Sequence, residues 1–399
     1  MAQLSEKPIP QDHSGPADKH ALVLSGGGAR AAYQVGCLRY IAQNIPSYRP
    51  TILTGASAGA INAAYLAASR RSWLDSVENL RSLWLSLDTT KVYETGLGNL
   101  ARRVMVWGLR VISGGRLGRA DIRGMVDNAP LRQFLGAHLP LDGRRIAGIE
   151  ENLREGLLDA LAIITTNYGS GRCVAWVEGE HANANWERAQ VRGYDTDMSL
   201  DHIMASAALP MFFPAVKLED MWHGDGGIRL TAPLSPALHL GATRILAVSP
   251  RAKPVHGLPQ DMREPYPSPA QIAGVMLNAM FLDNLDFDAK QMNRINELVA
   301  RLPEDQRGDL RPVEVMVLRP REDLGELARQ HELELPGSFR FFESGLSNRH
   351  RRSSDTLSMV IFEPEYLALL MRLGEEDAAE RHDEIEGFLH GESCSIPVW

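Results

Sequence analysis

The chain has 399 residues, with 42 lysines and arginines against 50 aspartates and glutamates, and a formal net charge of -8. Its 44% hydrophobic and 23% charged residues are ordinary for a globular protein and exclude a disordered or collagen-like chain. The acidic balance argues against binding to nucleic acid, because proteins that bind nucleic acid are usually basic. This length allows two domains or one domain with an appendage.

The N-terminal residues 1–20 are polar and interrupted by prolines, so we expect a disordered leader and no signal peptide there. Three scattered cysteines are too few for a disulfide framework or a zinc site, which predicts a reducing, cytoplasmic location. The uncharged residues 50–69 have the length of a membrane span, but their serines, glycines and many alanines exclude one.

Short apolar runs bounded by turn residues predict strands over residues 21–24, 52–54, 161–166, 174–177, 245–248 and 313–318. Between the early strands, apolar residues recur at helical spacing, from Ala31 to Ala42 and again from Ala60 to Leu66. Strands that alternate with helices favour an α/β fold with a mainly parallel sheet.

A glycine-rich loop follows the first predicted strand and opens a helix. Gly26, Gly28 and Ala31 fit a loose dinucleotide fingerprint, but that motif needs an acidic residue about 20 positions on, and none occurs between Gly26 and Ser72. Either the loop is only a tight turn, or its backbone N–H groups and Arg30 stabilise an oxyanion.

A G-x-S-x-G pentapeptide lies at the second predicted strand, from Gly55 to Gly59, with Ser57 at its centre. A strand before it and an alanine-rich helix after it are typical of a nucleophile elbow, in which a sharp turn exposes the serine hydroxyl. The plain alternative is that Ser57 caps the helix.

A nucleophilic serine needs a base, and Asp225 is the best candidate in the sequence. It lies among Gly224, Gly226 and Gly227, which let the backbone bring the carboxylate close to another group, and burial raises the pKa of such a group. The alternatives are a plain Asp-Gly turn or a Ser-Asp-His triad completed by a later histidine. The candidate histidines are His239, His256 and His331.

Together these motifs resemble the patatin-like phospholipase family, whose markers are a G-G-G-x-R/K-G loop, a G-x-S-x-G elbow and a later D-G-G or D-G-A. Here they stand in the family's order at residues 26–31, 55–59 and 225–227, and residues 205–214 resemble its A-S-x-A-x-P-x-x-F-P stretch. The resemblance covers residues 21–248. It implies a three-layer α/β/α fold and a serine–aspartate dyad without histidine.

The resemblance also implies the role of each site residue. Ser57 would attack an acyl ester of a phospholipid, lysophospholipid or related glycerolipid, and Asp225 would act as general base. The loop residues Gly26, Gly27 and Gly28, with Arg30, would stabilise the oxyanion. The residues that support the motifs are Gly55, Gly59, Gly226 and Gly227. Ala31 stands where the family usually has glycine, which leaves open which loop amides bind the oxyanion.

The resemblance further implies a membrane lipid or lipid aggregate as substrate, with no metal and no other cofactor. Homo-oligomerisation and the need for a protein activator stay open, and a non-catalytic lipid-binding scaffold is an alternative function. We expect a catalytic domain over residues 21–250, with a substrate-facing cap over about 70–155, and a mostly helical C-terminal extension over 251–399.

One segment of the predicted cap combines apolar and basic residues at helical spacing. The apolar face consists of Leu100, Val104, Trp107 and Val111, with arginines on other faces. Such a helix suits the surface of an anionic membrane, and thus a peripheral membrane protein, or packs as an ordinary surface helix on the sheet.

Overall fold

A computed structural model describes residues 18–94, 124–179, 186–187, 191–252, 284–308, 310–330, 358–360 and 362–391, with residues 102, 105–106, 112–114, 272, 275–276 and 279. Within these residues, nine strands form a central sheet and two form a small hairpin. The sheet strands are β1 (His20–Leu24), β2 (Ile52–Ala56), β5 (Ala160–Asn167), β6 (Cys173–Glu178), β7 (Val191–Asp195), β8 (Val216–Leu218), β9 (Met221–Asp225), β10 (Arg244–Val248) and β11 (Glu314–Leu318). The hairpin strands are β3 (Leu141–Asp142) and β4 (Arg145–Ile146).

The strands are joined by helices that cover both faces of the sheet. The helices before β5 are α1 (Ala32–Asn44), α2 (Ala58–Ala68), α3 (Trp73–Leu85), α4 (Thr89–Val92), α5 (Ala129–His138) and α6 (Ile149–Arg154). Those after β7 are α7 (Leu200–Ser206), α8 (Ser235–His239), α9 (Asn284–Arg301), α10 (Leu324–Gln330), α11 (Pro364–Glu380) and α12 (His382–His390).

The sheet order is β11-β10-β1-β2-β5-β6-β7. The strands from β11 to β5 pair in parallel, whereas β6 pairs with β5 antiparallel. The strand β9 is antiparallel to the end of β5 and also pairs with β8. The carboxyl ends of β1, β2 and β5 therefore meet at one edge, where ligands of open parallel sheets usually bind.

The strands read as unbroken apolar runs because both faces of the sheet are buried. Leu22 and Leu24 of β1 join the core beneath α1, α2, α3 and α11, whereas Ala21 and Val23 join the core beneath α8 and α9. The result is a three-layer α/β/α architecture, with helices after β11, which confirms the predicted fold class.

The six predicted strands and the two early helices are present, with ends within two residues of those expected. The strands β7, β8 and β9 were not predicted from local pattern. The leader up to residue 17, Cys394 and the apolar face of the predicted basic helix lie outside the described residues. The boundaries at residues 20 and 250 stay predictions, and β11 extends the central sheet beyond the second of them.

Candidate active site

Ser57 occupies the sharp turn between β2 and α2. Its backbone has φ of 56° and ψ of -131°, and the residue is buried except for 7% of its surface. Positive φ is uncommon for a residue with a side chain and costs on the order of 1–3 kcal/mol, so the surrounding structure must hold it. The strained turn presents the hydroxyl at the carboxyl edge of the sheet, as a nucleophile elbow requires.

The two glycines of the pentapeptide allow this turn to pack tightly. A methyl group on Gly55 would lie 2.5 Å from the carbonyl oxygen of Gly59. A methyl group on Gly59 would lie 2.2 Å from the carbonyl oxygen of Leu24 in β1. Since neither position has space for a side chain, the spacing of the motif follows from the close approach of β1, β2 and α2.

Asp225 reaches Ser57 through the pairing of β9 with β5. On one side of β5, Ile164 pairs with Ala56, and the next residue, Thr165, pairs with Asp225. Because β6 occupies the other side of β5, β9 pairs with β5 on the same side as β2 and lies beyond the end of β2. Asp225 therefore lies one position beyond the end of β2, next to Ser57.

The carboxyl group of Asp225 is fully buried. Its Oδ1 accepts a hydrogen bond from the Gly227 amide at 2.9 Å. Among the described residues, no group donates a hydrogen bond of normal geometry to its Oδ2. Burial raises the pKa of Asp225 to about 7, although the nearby Ser57 hydroxyl and the Gly227 amide favour the charged form. A carboxyl group with this pKa can exchange a proton near neutral pH.

The glycine loop packs directly against the elbow. A methyl group on Gly26 would lie 2.8 Å from Cβ of Ser57, and Gly27 and Gly28 have φ of 154° and 57°. The chain then enters a 3₁₀ turn, in which the Arg30 amide donates to the Gly27 carbonyl. The amides at the start of such a turn lack partners within the turn, so they can serve as oxyanion donors.

Two positions of the loop, Ala31 and Arg30, carry expectations from the sequence. Ala31 has φ of -65° and ψ of -12°, ordinary right-handed values that its methyl group tolerates without strain. Arg30 is buried, and its Nε donates to Oγ of Ser358 at 2.6 Å. This contact directs the guanidinium towards the C-terminal part of the chain, and the role of Arg30 beside the oxyanion stays a prediction.

Gly28 allows a direct test of how tightly the loop is packed. A methyl group there would lie 2.1 Å from the carbonyl oxygen of Met359, and its φ is 57°. Gly308 is a matched control, since it has φ of 55° and open space around it. We expect Gly308→Ala to cost about 1–2 kcal/mol from backbone strain alone, and Gly28→Ala about 1–3 kcal/mol more. Urea unfolding of both variants measures the difference, and equal losses would contradict the close contact.

Ser206 is a supporting residue for which the sequence predicted no role. Its Oγ accepts the Ser57 amide at 3.0 Å and donates to the Ile164 carbonyl at 2.6 Å. It therefore links the elbow to β5. The resemblance included this residue in the stretch from 205 to 214, so a signal was present, but the sequence alone did not indicate its partner.

A buried polar network lies beneath the glycine loop. The Gln34 amide donates to the carbonyl of Ser25 at 2.7 Å, and Asn62 of α2 donates to Oε1 of Gln34 at 3.0 Å. Trp84 donates in turn to Oδ1 of Asn62 at 2.7 Å. Because satisfied buried networks rigidify their surroundings, we expect these residues to stiffen the base of the loop.

The histidines do not complete a triad within the described residues. His239 stacks on Trp186, with ring centroids 5.0 Å apart. His223 lies near Asp225 in the sequence, but its ring nitrogens lie 3.0 Å from Thr165 Oγ1 and 3.2 Å from Asn167 Nδ2. His256 and His331 lie outside the described residues.

An apolar cavity of about 50 Å³ opens beside Ser57. Its walls come from α2, α3, α4 and α5 and from the C-terminal part of the chain. They include Ile61, Leu83, Trp84, Leu87, Val92, Leu131, Phe134, Leu135 and Phe362. The volume holds only a few water molecules, so an extended apolar ligand requires the walls to move apart.

Three further features bear on function. In the part of the chain that the structure describes, no group of three or more histidine, cysteine or acidic side chains could hold a metal ion. Over the same residues, no helix has both the length and the apolar character needed to cross a membrane. Cys37 and Cys173 are buried and unbridged.

Comparison with solved structures gives distant matches that cover 94% of this chain. They include VipD from Legionella pneumophila (13% identity, TM-score 0.39), human GIVD cytosolic phospholipase A2 (12%, 0.45) and the type III effector protein ExoU (16%, 0.34). The chain spans 70%, 60% and 54% of the lengths of these proteins. A search of curated proteins gives no significant match.

A family model described as patatin-like phospholipase matches residues 22–238. The matched region contains the glycine loop, the elbow with Ser57 and the buried Asp225. Because it spans more than half of the 399 residues, the chain belongs to the patatin-like phospholipase family.

Proposed function

We propose that this protein is a serine hydrolase that cleaves fatty-acyl esters of phospholipids, lysophospholipids or related glycerolipids. Ser57 is the nucleophile and Asp225 is its general base. The observation that carries the proposal is the adjacency of a serine in a strained elbow and a fully buried carboxyl group whose pKa is raised to about 7.

In the first half of the reaction, Asp225 takes the hydroxyl proton while Oγ of Ser57 attacks the ester carbonyl. Amides of the Gly26–Gly28 loop bind the oxyanion of the tetrahedral intermediate. Asp225 then gives the proton to the departing alcohol, which leaves an acyl group on Ser57. In the second half, Asp225 takes a proton from water, the water attacks the acyl group, and the fatty acid is released as Ser57 recovers its proton.

The apolar cavity beside Ser57 suits the acyl chain of the substrate by its chemistry, once its walls move apart to admit the chain. Its walls are leucine, isoleucine, valine and aromatic side chains, which bind methylene groups through burial of apolar surface. We propose that the enzyme works at a lipid surface from the cytoplasm as a peripheral protein. The net charge of -8 then requires any contact with an anionic membrane to be local.

The test is to incubate the protein with vesicles made from a mixed glycerolipid extract and to profile the fatty acids released. We expect release of fatty acids from at least one phospholipid or lysophospholipid class without added metal. Vesicle binding with no acyl release from any class would instead favour a non-catalytic lipid-binding scaffold.

A further inference from the structure

The segment over residues 358–363 lies more than 130 residues beyond Asp225 and outside the region that the family model matches. Ser358, Met359, Val360, Phe362 and Glu363 of this segment are described. Each of them contacts a wall of the candidate active site or the cluster beside it. We refer to these residues as the C-terminal strap.

The strap leads directly into α11, and α11 packs closely on α1, the helix that follows the glycine loop. This packing fixes the strap. A methyl group on Gly36 of α1 would lie 1.9 Å from the Met371 carbonyl, and one on Gly374 of α11 would lie 2.3 Å from the Tyr33 carbonyl. The Tyr33 hydroxyl also donates to Asp377 at 3.0 Å. The two helix backbones therefore touch, which leaves little freedom for the chain that enters α11.

At one end, the strap contacts the glycine loop. Ser358 accepts the Arg30 Nε at 2.6 Å, and the Met359 carbonyl packs against Gly28. Met359 and Val360 also form an apolar cluster whose other members lie on the side of the site that carries Asp225. These members are Leu209, Phe212 and Ile228.

At its other end, the strap contacts the walls of the apolar cavity. The Tyr93 hydroxyl donates to the Val360 carbonyl at 2.8 Å, and Thr89 of α4 donates to Oε1 of Glu363 at 3.0 Å. Between these two anchors, the buried ring of Phe362 lines the cavity together with Ser57.

We propose that the C-terminal strap is part of the active site and that Phe362 determines which acyl-chain length the cavity accepts. This inference rests on the proposed function, since it takes the cavity beside Ser57 as the acyl site. The ring of Phe362 occupies volume that further methylene groups of a longer chain would need. The anchors at Val360 and Glu363 hold the chain on both sides of this ring.

The size of the side chain at position 362 should therefore control which fatty-acid chain length binds most tightly. Each methylene newly buried in an apolar site increases affinity about fourfold. Phe362→Ala should shift the preference to longer fatty acids, and the affinity should rise about fourfold for each additional methylene that the enlarged cavity buries. Phe362→Trp should shift the preference to shorter acids.

The experiment measures chain-length preference in two ways. In the Ser57→Ala background, saturated fatty acids from octanoate to palmitate compete with the fluorescent ligand dansylundecanoic acid. With Ser57 intact, the same variants hydrolyse p-nitrophenyl esters from butyrate to palmitate. Phe388→Ala is the matched control, because Phe388 is a buried phenylalanine of α12 that does not line the cavity.

Opposite shifts in Phe362→Ala and Phe362→Trp, with an unchanged preference in Phe388→Ala, support the proposal. An unchanged preference in both Phe362 variants, or an equal shift in Phe388→Ala, overturns it. If the binding preference shifts but no protein with intact Ser57 hydrolyses any ester, the proposed function fails while the assignment of Phe362 to the cavity stands. Hydrolysis with no shift in either assay defeats the inference alone.

Discussion

Asp225→Asn is expected to lower kcat for ester hydrolysis by about 10²–10⁴-fold, the contribution typical of a general base. Asparagine has nearly the same shape, and its Oδ1 can still accept the Gly227 amide hydrogen bond that Asp225 accepts at 2.9 Å. It cannot take the proton of Ser57. Activity of this variant equal to that of the wild type would favour a histidine as base.

The pH dependence of the wild type follows from the same group. Asp225 must be ionised to accept a proton, and burial raises its pKa to about 7. We therefore expect kcat to rise about tenfold per pH unit below 7 and to level off above it. The residual rate of Asp225→Asn should lose this inflection.

Whereas kcat should rise with pH, stability should fall, because the carboxyl group of Asp225 holds its proton more tightly in the native state than in the unfolded state. The free energy of unfolding falls as the pH rises from about 4, near the unfolded pKa, to about 7, the folded pKa, and then stays low. Asp225→Asn removes this cost, so its unfolding free energy above pH 7 should exceed that of the wild type by on the order of a few kcal/mol.

Asp288 offers a matched control for both measurements. It is a partly buried aspartate of α9 that accepts the Leu234 amide at 2.8 Å, and burial raises its pKa to about 6. Like Asp225→Asn, Asp288→Asn should reduce the loss of stability that accompanies rising pH, but it should leave ester hydrolysis unchanged. Equal loss of turnover in the two variants would mean that buried charge as such, and not the base beside Ser57, is responsible.

Ser57→Ala is expected to lower kcat by about 10⁶-fold, the size of effect found when a serine hydrolase loses its nucleophile. The fold should persist, because the elbow is held by Gly55, Gly59 and the Ser206 hydrogen bond to the backbone amide at position 57. Ser76→Ala is the control, since Ser76 is a buried serine of α3 whose hydroxyl bonds to Ser69 and Ser72.

Residual hydrolysis by Ser57→Ala above the uncatalysed rate reports what the oxyanion loop and binding contribute without the nucleophile. A rate within tenfold of the wild type would contradict the role of Ser57. Equal loss in Ser76→Ala would point to a general effect on the fold.

The local features of this protein could be predicted from its sequence. The buried parallel strands read as apolar runs because both their faces are covered, and the elbow was recognisable because its glycines and its strand–helix context lie within a few residues of Ser57. The flanking glycines indicated Asp225 as the candidate base and the resemblance to a family indicated a dyad, but no local signal showed the adjacency of Asp225 and Ser57. This adjacency depends on β9 lying beside β5, a contact between segments far apart in the chain.

The contribution of the C-terminal region could not be predicted. Its return to Gly28 depends on contact between the backbones of α1 and α11 at Gly36 and Gly374, and nothing local marks these glycines as partners. The loop that begins with Gly26 is contacted by residues from more than 300 positions further along the chain.

The central claim is that Ser57 is a nucleophile activated by Asp225, and covalent labelling with a long-chain alkyl fluorophosphonate tests it most directly. Intact-mass analysis followed by peptide mapping should find one adduct, located on Ser57. The adduct should be absent from Ser57→Ala, form slowly in Asp225→Asn and form at the wild-type rate in Ser76→Ala. An adduct on another residue, or undiminished labelling of Ser57→Ala, would contradict the claim.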